Sequence, residues 1–126
     1  MKLTLIAVLT LTAGCCEAAA GDDRPVPGTA LVAQFAGRTI YLAAPFGTLP
    51  ITYNRDGTMA AQSKALAVYT GVARDTGTWR ISGNKVCQRW RQWNNGEEQC
   101  FTVRANGATI HWTTVDGQSG TATVGR

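Results

Sequence analysis

Short apolar runs alternate with glycine-containing turn signals over most of this chain, and that alternation limits its fold more than any other feature. The signals are Asp-Gly, Asn-Gly or Ser-Gly-Asn sequences at residues 56–57, 82–84, 106–107 and 116–117. Asp-Gly and Asn-Gly tolerate the left-handed backbone that tight hairpin turns require. Strand-like runs separated by such turns about every 8–12 residues are typical of an all-β protein, so the pattern predicts an antiparallel meander.

The predicted meander has room for about eight strands. Closing them into a small up-and-down β-barrel would remove the exposed edges, so a barrel is the predicted architecture and an open β-sandwich is the alternative. Hydrophobic residues make up 44% of the chain and charged residues 16%, which suits one folded core and argues against disorder. Residues 63–75 fit the pattern least: their alanines would tolerate a helical turn, but we predict a loop with a short strand at residues 68–72.

The N-terminus has the features of an export signal. Lys2 precedes an apolar run of 11 residues, 3–13, which is too short to span a bilayer as a helix and fits a signal peptide. Residues 21–30 contain two prolines and two glycines and are predicted as a flexible arm. A single β domain is predicted at residues 31–126.

Two processing sites compete within this signal. Cleavage after Ala20 would remove residues 1–20 and release a periplasmic or secreted protein. Lipidation of Cys15, which follows a lipobox-like sequence, would instead remove residues 1–14 and leave a membrane-anchored lipoprotein. Both products remain open, and both predict an extracytoplasmic protein.

Cys15 and Cys16 lie in the N-terminal signal region, and the two cysteines of the β domain, Cys87 and Cys100, are predicted to form a disulfide because exported proteins fold in oxidising compartments. A two-residue turn at Asn95-Gly96 would place them four residues apart along the sheet, roughly 13 Å. That distance is too long for a disulfide. The sequence therefore favours a looser turn centred near Trp93 and Asn94, with the Trp93 ring near the surface.

The segment that follows Cys87 suggests a binding surface. On a strand, Arg89, Arg91 and Trp93 share one face, where two guanidinium groups and an indole could hold an anionic ligand. The formal net charge of +4 favours anionic partners weakly. The predicted partner is an anionic envelope component or another envelope protein, with no nucleic acid expected and membrane contact only through a lipid anchor.

No catalytic or metal-binding set stands out in the sequence. His111 is the only histidine, no C-x-x-C sequence exists, and the aspartates at 56, 75 and 116 lie in or near turns where they stabilise the backbone. No enzyme activity and no cofactor are predicted. The predicted function is a non-enzymatic binding or interaction module; the alternatives are a lipocalin-like carrier of a small molecule and a hydrolase inhibitor.

Several of these features together resemble a family of small exported bacterial proteins that has no assigned function. The residues that carry the resemblance are Asp56-Gly57-Thr58, Gly77-Thr78-Trp79, Cys87, Trp90, Gly96 and Cys100-Phe101. They match a DGT turn, a GTW strand and a C-x-x-W…G…C-F hairpin. The resemblance covers residues 36–124 and implies an exported β domain with paired cysteines. It carries over no catalytic residues.

Overall fold

The structure, a computed structural model, describes residues 23–125. The predicted signal peptide at residues 1–20, the alternative signal at residues 1–14 and the lipidation at Cys15 therefore lie outside the described residues. Within the part that is described, no helix has the length and apolar character needed to cross a membrane.

Over residues 23–125 the fold comprises nine strands and two short α-helices. The helices are α1 (Gly28–Phe35) and α2 (Lys64–Thr70). The strands are β1 (Arg24–Pro25), β2 (Arg38–Ala44), β3 (Gly47–Tyr53), β4 (Thr58–Gln62), β5 (Arg74–Ser82), β6 (Lys85–Trp90), β7 (Glu98–Asn106), β8 (Thr109–Thr114) and β9 (Ser119–Val124).

Strands β2 to β9 form a closed antiparallel barrel in which every strand pairs with its neighbours in sequence. The barrel closes where β9 pairs with β2, with Val124 opposite Ile40 and Ala122 opposite Leu42. The prediction of an eight-stranded up-and-down barrel is confirmed. The additional strand β1 pairs with the far half of β7, with Arg24 opposite Ala105.

The predicted turns lie where the sequence signals place them. Gly57 and Gly117 adopt left-handed backbone conformations, with φ values of 91° and 94°. In each turn the preceding aspartate accepts a hydrogen bond from a threonine hydroxyl: Asp56 from Thr58 and Asp116 from Thr114. Glycine and aspartate thus act together at both turns, which explains the Asp-Gly signal.

The connections divide between two ends of the barrel. The α1 end carries α1 and the turns at residues 54–57, 83–84 and 107–108. The mouth end carries the β2–β3 turn, α2, the β6–β7 loop at residues 91–97 and the β8–β9 turn. Because strands alternate in direction, each end collects every second connection.

Helix α1 closes the α1 end by burying its apolar face in the barrel. Leu31 and Phe35 are fully buried, and the Phe35 ring lies 5.0 Å from the Tyr53 ring, edge to face. Before the helix, the buried Val26 donates its backbone N–H to the Val103 carbonyl of β7. The prediction of a flexible arm at residues 21–30 is therefore wrong over residues 24–30, where apolar burial and strand pairing fix the chain.

Residues 63–75 also differ from the prediction of a loop with a strand at residues 68–72. Ser63 caps α2, because its hydroxyl accepts the Leu66 N–H. Gly71 ends the helix in a left-handed conformation, with φ of 79°. These two caps stabilise a helix over residues whose β-branched and aromatic side chains favour strand. The next strand, β5, begins at Arg74.

Candidate functional site

The β6–β7 hairpin contains the disulfide, and its turn is loose. Cys87 lies directly opposite Cys100 with 4.0 Å between the Cα atoms, and the two are bonded. The connection between the strands includes a 3₁₀ turn at Trp93–Gly96 in which Asn94 and Asn95 have positive φ values of 58° and 55°. The predicted disulfide and the predicted loose turn are both confirmed.

The hairpin does not bring the three predicted ligand-binding residues onto one exposed face. Arg89 and Arg91 are exposed, but Trp93 is buried with 6% of its surface accessible. Its ring packs 4.9 Å from the Trp90 ring and its indole N–H donates to the Val72 carbonyl. The prediction that Trp93 lies near the surface is wrong, because the chain leaves the strand after Trp90 and turns the ring towards the core.

A buried carboxylate holds this loop in place. Asp75, on β5, accepts the backbone N–H groups of Gln92 and Trp93 through one oxygen, at 2.8 and 2.9 Å. Its other oxygen accepts the Thr76 N–H at 2.9 Å. From the sequence, Asp75 is assigned to a turn. Its role in the loop is missed because its donors lie 17 residues later, and no local pattern indicates such a contact.

A groove lies on the outer face of the barrel beside this loop. It runs over β3, β4 and β5 and has a volume of about 630 Å³. In the strand register Ala60 lies between Thr52 and Thr76, and the recess forms because its side chain is small. The polar side chains that line the groove are Thr52, Gln62, Arg74, Asp75, Thr76, Arg91 and Gln92. Of these, the Asp75 carboxylate is buried and is occupied by the three backbone N–H groups that it accepts.

The two arginines of the groove differ from most others in the chain. Arg38, Arg89 and Arg104 donate to backbone carbonyls, and Arg80 forms a bidentate pair with Glu98 at 3.1 Å.

Within residues 23–125, the Arg74 and Arg91 guanidinium groups form no hydrogen bond or ion pair. Glu98, which lies opposite Arg89 in the hairpin register, forms its ion pair with Arg80 on the neighbouring strand. Two free guanidinium groups therefore line one groove. The sequence prediction included Arg91 but missed Arg74, which only the barrel topology brings close.

The barrel interior is nearly filled. It holds a cavity of about 90 Å³ lined mainly by apolar and aromatic side chains, Phe35, Phe101 and Trp112 among them. The Tyr53 hydroxyl donates to the Gln88 side chain at 2.8 Å, and burial raises the pKa of the Tyr53 phenol. A cavity of this size holds about three water molecules.

Two clusters of reactive residue types have structural explanations. Cys87, Glu98 and Cys100 have ligand atoms within 4.8 Å of one another, but both sulfurs are in the disulfide and are not thiolate ligands. His111 is half-exposed and lies 3.5 Å from Asp23, near the start of the described chain. Neither cluster offers a positioned nucleophile with a base, which covalent catalysis requires.

Comparison of the chain with protein-family models, with curated proteins and with solved structures finds no match in any of the three. The function therefore has to be inferred from the site itself.

Proposed function

We propose that this protein is an exported, non-enzymatic binding module that holds an anionic group of its ligand in the groove over β3, β4 and β5. The observation that carries the proposal is the pair of unpartnered guanidinium groups, Arg74 and Arg91, lining one recess. A guanidinium presents several N–H donors in a planar fork that fits phosphate and carboxylate oxygens. The ligand class is therefore a phosphate- or carboxylate-bearing molecule.

The surroundings of the two arginines support this ligand class. The side chains of Gln62, Gln92 and Thr76 line the same groove and supply neutral hydrogen-bond donors. Asp75 directly follows Arg74 on β5, and its carboxylate accepts backbone N–H groups of the loop that carries Arg91. The carboxylate therefore links the two segments that carry the arginines. The arginine backbones are thus fixed before a ligand arrives, which lowers the entropic cost of binding.

The alternative of a small-molecule carrier has less support. Ligand pockets usually enclose about 300–1,000 Å³. The interior cavity has about 90 Å³, and α1 fills the end of the barrel below it. The outer groove is therefore the better candidate.

Export rests on two features. The disulfide between Cys87 and Cys100 suits an oxidising compartment, and residues 1–20 have the pattern of a signal peptide. We propose a periplasmic or secreted location, and lipidation at Cys15 is the alternative for the mature N-terminus.

Calorimetric titration with a soluble polyphosphate and with polyglutamate tests the groove. We expect binding of at least one of these two anions, weakening as salt is added. Arg74→Gln with Arg91→Gln should reduce the affinity at least about tenfold, because each lost charge-assisted hydrogen bond is worth about 1.5–3 kcal/mol.

The matched control is Arg24→Gln with Arg55→Gln, which removes the same charge from exposed arginines at the α1 end. That control should bind nearly as the natural protein does. Equal losses in both double variants would show that only net charge matters, and the assignment of the groove would then be abandoned.

A further inference from the structure

The mouth end exposes large apolar side chains beside the groove. Val68 and Tyr69, on α2, are 82% and 73% exposed, and Val115 in the β8–β9 turn is 75% exposed. No residue of α2 is buried. The helix packs against the core through the partly buried Leu66, and Val68 and Tyr69 form an exposed apolar face that the described chain does not cover.

The β2–β3 hairpin extends this apolar face. Beyond Leu42, β2 has no pairing with β9, and before Ile51, β3 has no pairing with β4. The tip at residues 43–50 is therefore a two-stranded ribbon, whose Leu49 is buried in the core and whose Phe46 is partly buried against it, while Ala43, Pro45 and Pro50 are exposed. Its sequence is apolar except for Gly47 and Thr48, and the Phe46 ring packs 6.2 Å from the Tyr69 ring.

Cationic side chains continue directly from this apolar face to the groove. Lys64 lies one helical turn before Val68, so the two side chains share a face of α2. Lys64 and Arg74 line one shallow recess, and Arg74 and Arg91 line the groove. Along the surface, the apolar face is thus followed by Lys64, then by Arg74 and then by Arg91.

The acidic groups at the same end are mostly engaged within the chain. Asp75 accepts loop N–H groups, Asp116 accepts the Thr114 hydroxyl, and Glu98 pairs with Arg80. In the described part of the chain this leaves Glu97 as the one carboxylate of the mouth end without a partner. The donors to Asp75 and Asp116 are neutral and leave both carboxylates charged, so of these groups only Glu98 is neutralised, by Arg80. The recess beside α2 is nevertheless cationic, because Lys64 and Arg74 line it together with Gln62, Ser63 and Ala73 and no carboxylate does.

We propose that the mouth end seats on an anionic lipid surface, with Val68, Tyr69 and the hairpin tip entering the interface while Lys64, Arg74 and Arg91 contact lipid phosphates. The proposal rests on the groove assignment above and names lipid phosphate as its ligand. Amphipathic surfaces of this kind combine buried apolar area with attraction to anionic lipids, and tyrosine favours the head-group region. Charge complementarity is the reason for choosing lipid over a neutral protein partner.

The α1 end supplies a matched control within the same chain. Val32 and Tyr41 are also an exposed valine and tyrosine, at 48% and 42%, but they lie outside the mouth end. Replacing this pair by serine removes the same side chains from a different surface.

The experiment is vesicle flotation of the full exported chain carrying Cys15→Ser, so that no acyl anchor can form. Vesicles of phosphatidylcholine mixed with phosphatidylglycerol are compared with vesicles of phosphatidylcholine alone. We expect the protein to float only with the anionic vesicles. Val68→Ser with Tyr69→Ser should reduce partitioning about tenfold or more, because binding strength scales with the apolar area that enters the interface. Arg74→Gln with Arg91→Gln should reduce it about 25-fold, since each cation contributes about fivefold.

Val32→Ser with Tyr41→Ser should partition as the natural protein does, and thermal melting should show that all variants remain folded. If the variant with Val68→Ser and Tyr69→Ser still bound the anionic vesicles as the natural protein does, the protein would adsorb through charge alone. That result would overturn the proposal that the mouth end enters the lipid interface. Binding of soluble polyphosphate without any vesicle binding would overturn the lipid surface but leave the groove assignment intact. Loss of both kinds of binding would overturn the groove as well.

Discussion

The two ends of the barrel are built on opposite principles. At the α1 end, a helix buries Leu31 and Phe35 completely, and β1 pairs with β7 beside it. At the mouth end, α2 buries no residue and leaves Val68 and Tyr69 in solvent. Both ends carry a short helix, but only α1 has fully buried side chains; at the mouth end the buried Trp93 comes from the β6–β7 loop, and α2 contributes the partly buried Leu66.

This difference suggests a division of tasks. Burial of apolar area dominates folding stability, so the α1 end and the barrel core should determine whether the protein folds. The mouth end holds the guanidinium groups of Arg74 and Arg91 and the exposed side chains of Val68 and Tyr69, so we expect it to determine what the protein binds. Variants that affect stability and binding separately test this division.

The largest effect is expected at the α1 end. Phe35→Ala should lower the free energy of unfolding by about 3–5 kcal/mol, because it leaves a cavity among the Tyr53, Trp79 and Phe101 rings. Urea denaturation measures this loss. Val32→Ala on the exposed side of the same helix should change stability by less than about 0.5 kcal/mol. Similar losses for both would contradict the packing of α1.

The disulfide belongs to neither end and should affect stability alone. Cys87→Ala with Cys100→Ala removes a crosslink between residues 13 apart and should cost about 3 kcal/mol. Anion affinity of the folded fraction should not change, because the loop beside the groove is held by Asp75. An affinity that falls with the crosslink would show that the disulfide also shapes the groove.

A smaller effect on stability, with an effect on binding, is expected at Asp75. Asp75→Asn places an amide N–H₂ group where a carboxylate oxygen accepts backbone N–H groups. We expect a loss of about 1–3 kcal/mol in stability, since at least one buried N–H loses its acceptor. Polyphosphate affinity should fall as well, because the loop carrying Arg91 and Gln92 is released. Unchanged affinity, measured by calorimetry, would mean that the loop position does not matter for binding.

The smallest effect concerns the turns, where the two ends should behave alike. The hydroxyl and backbone N–H of Thr58 donate to Asp56, and they hold the pKa of that carboxyl below its ordinary value of 3.8. The Thr114 hydroxyl lowers the pKa of Asp116 in the same direction. Because folding lowers both pKa values, each ionised carboxylate favours the folded state above pH 3.8, and the contribution is lost as the pH falls through the lowered value.

Thr58→Val should therefore raise the pKa of Asp56 towards its ordinary value, and Thr114→Val should do the same for Asp116. Carboxyl carbon shifts recorded by NMR against pH measure both changes. A shift in one variant only would show that the turns also differ between the two ends.

The barrel was predictable from local signals, since Asp-Gly and Asn-Gly turns act within a few residues. The disulfide was predictable from the export signal, and counting residues between the two cysteines then showed that the turn between them had to be loose. Helix α1 was missed because the prolines and glycines just before it resemble a linker, and only the barrel interior shows that Leu31 and Phe35 have a place to pack. Similarly, Arg74 joins Arg91 through strand order, which no local pattern contains.

Trp93 illustrates the same limit at one residue. Strand alternation placed it on the face of Arg89 and Arg91, and that alternation holds only while the strand continues. Asn94 and Asn95 adopt left-handed conformations immediately after it, and the loop folds inward. The backbone N–H groups of Gln92 and Trp93 donate to Asp75 instead of to a neighbouring strand, so they remain hydrogen-bonded after the strand ends.

Closure of the barrel by its last strand has a consequence for how the chain acquires its structure. Val124 pairs with Ile40, so the first and last barrel strands meet only after nearly the whole sequence has been synthesised. Contacts this distant in sequence are slow to form, and until then β2 and β8 each have an open edge. A chain truncated before Ser119 would keep both edges open permanently, and it should self-associate rather than remain a monomeric sheet.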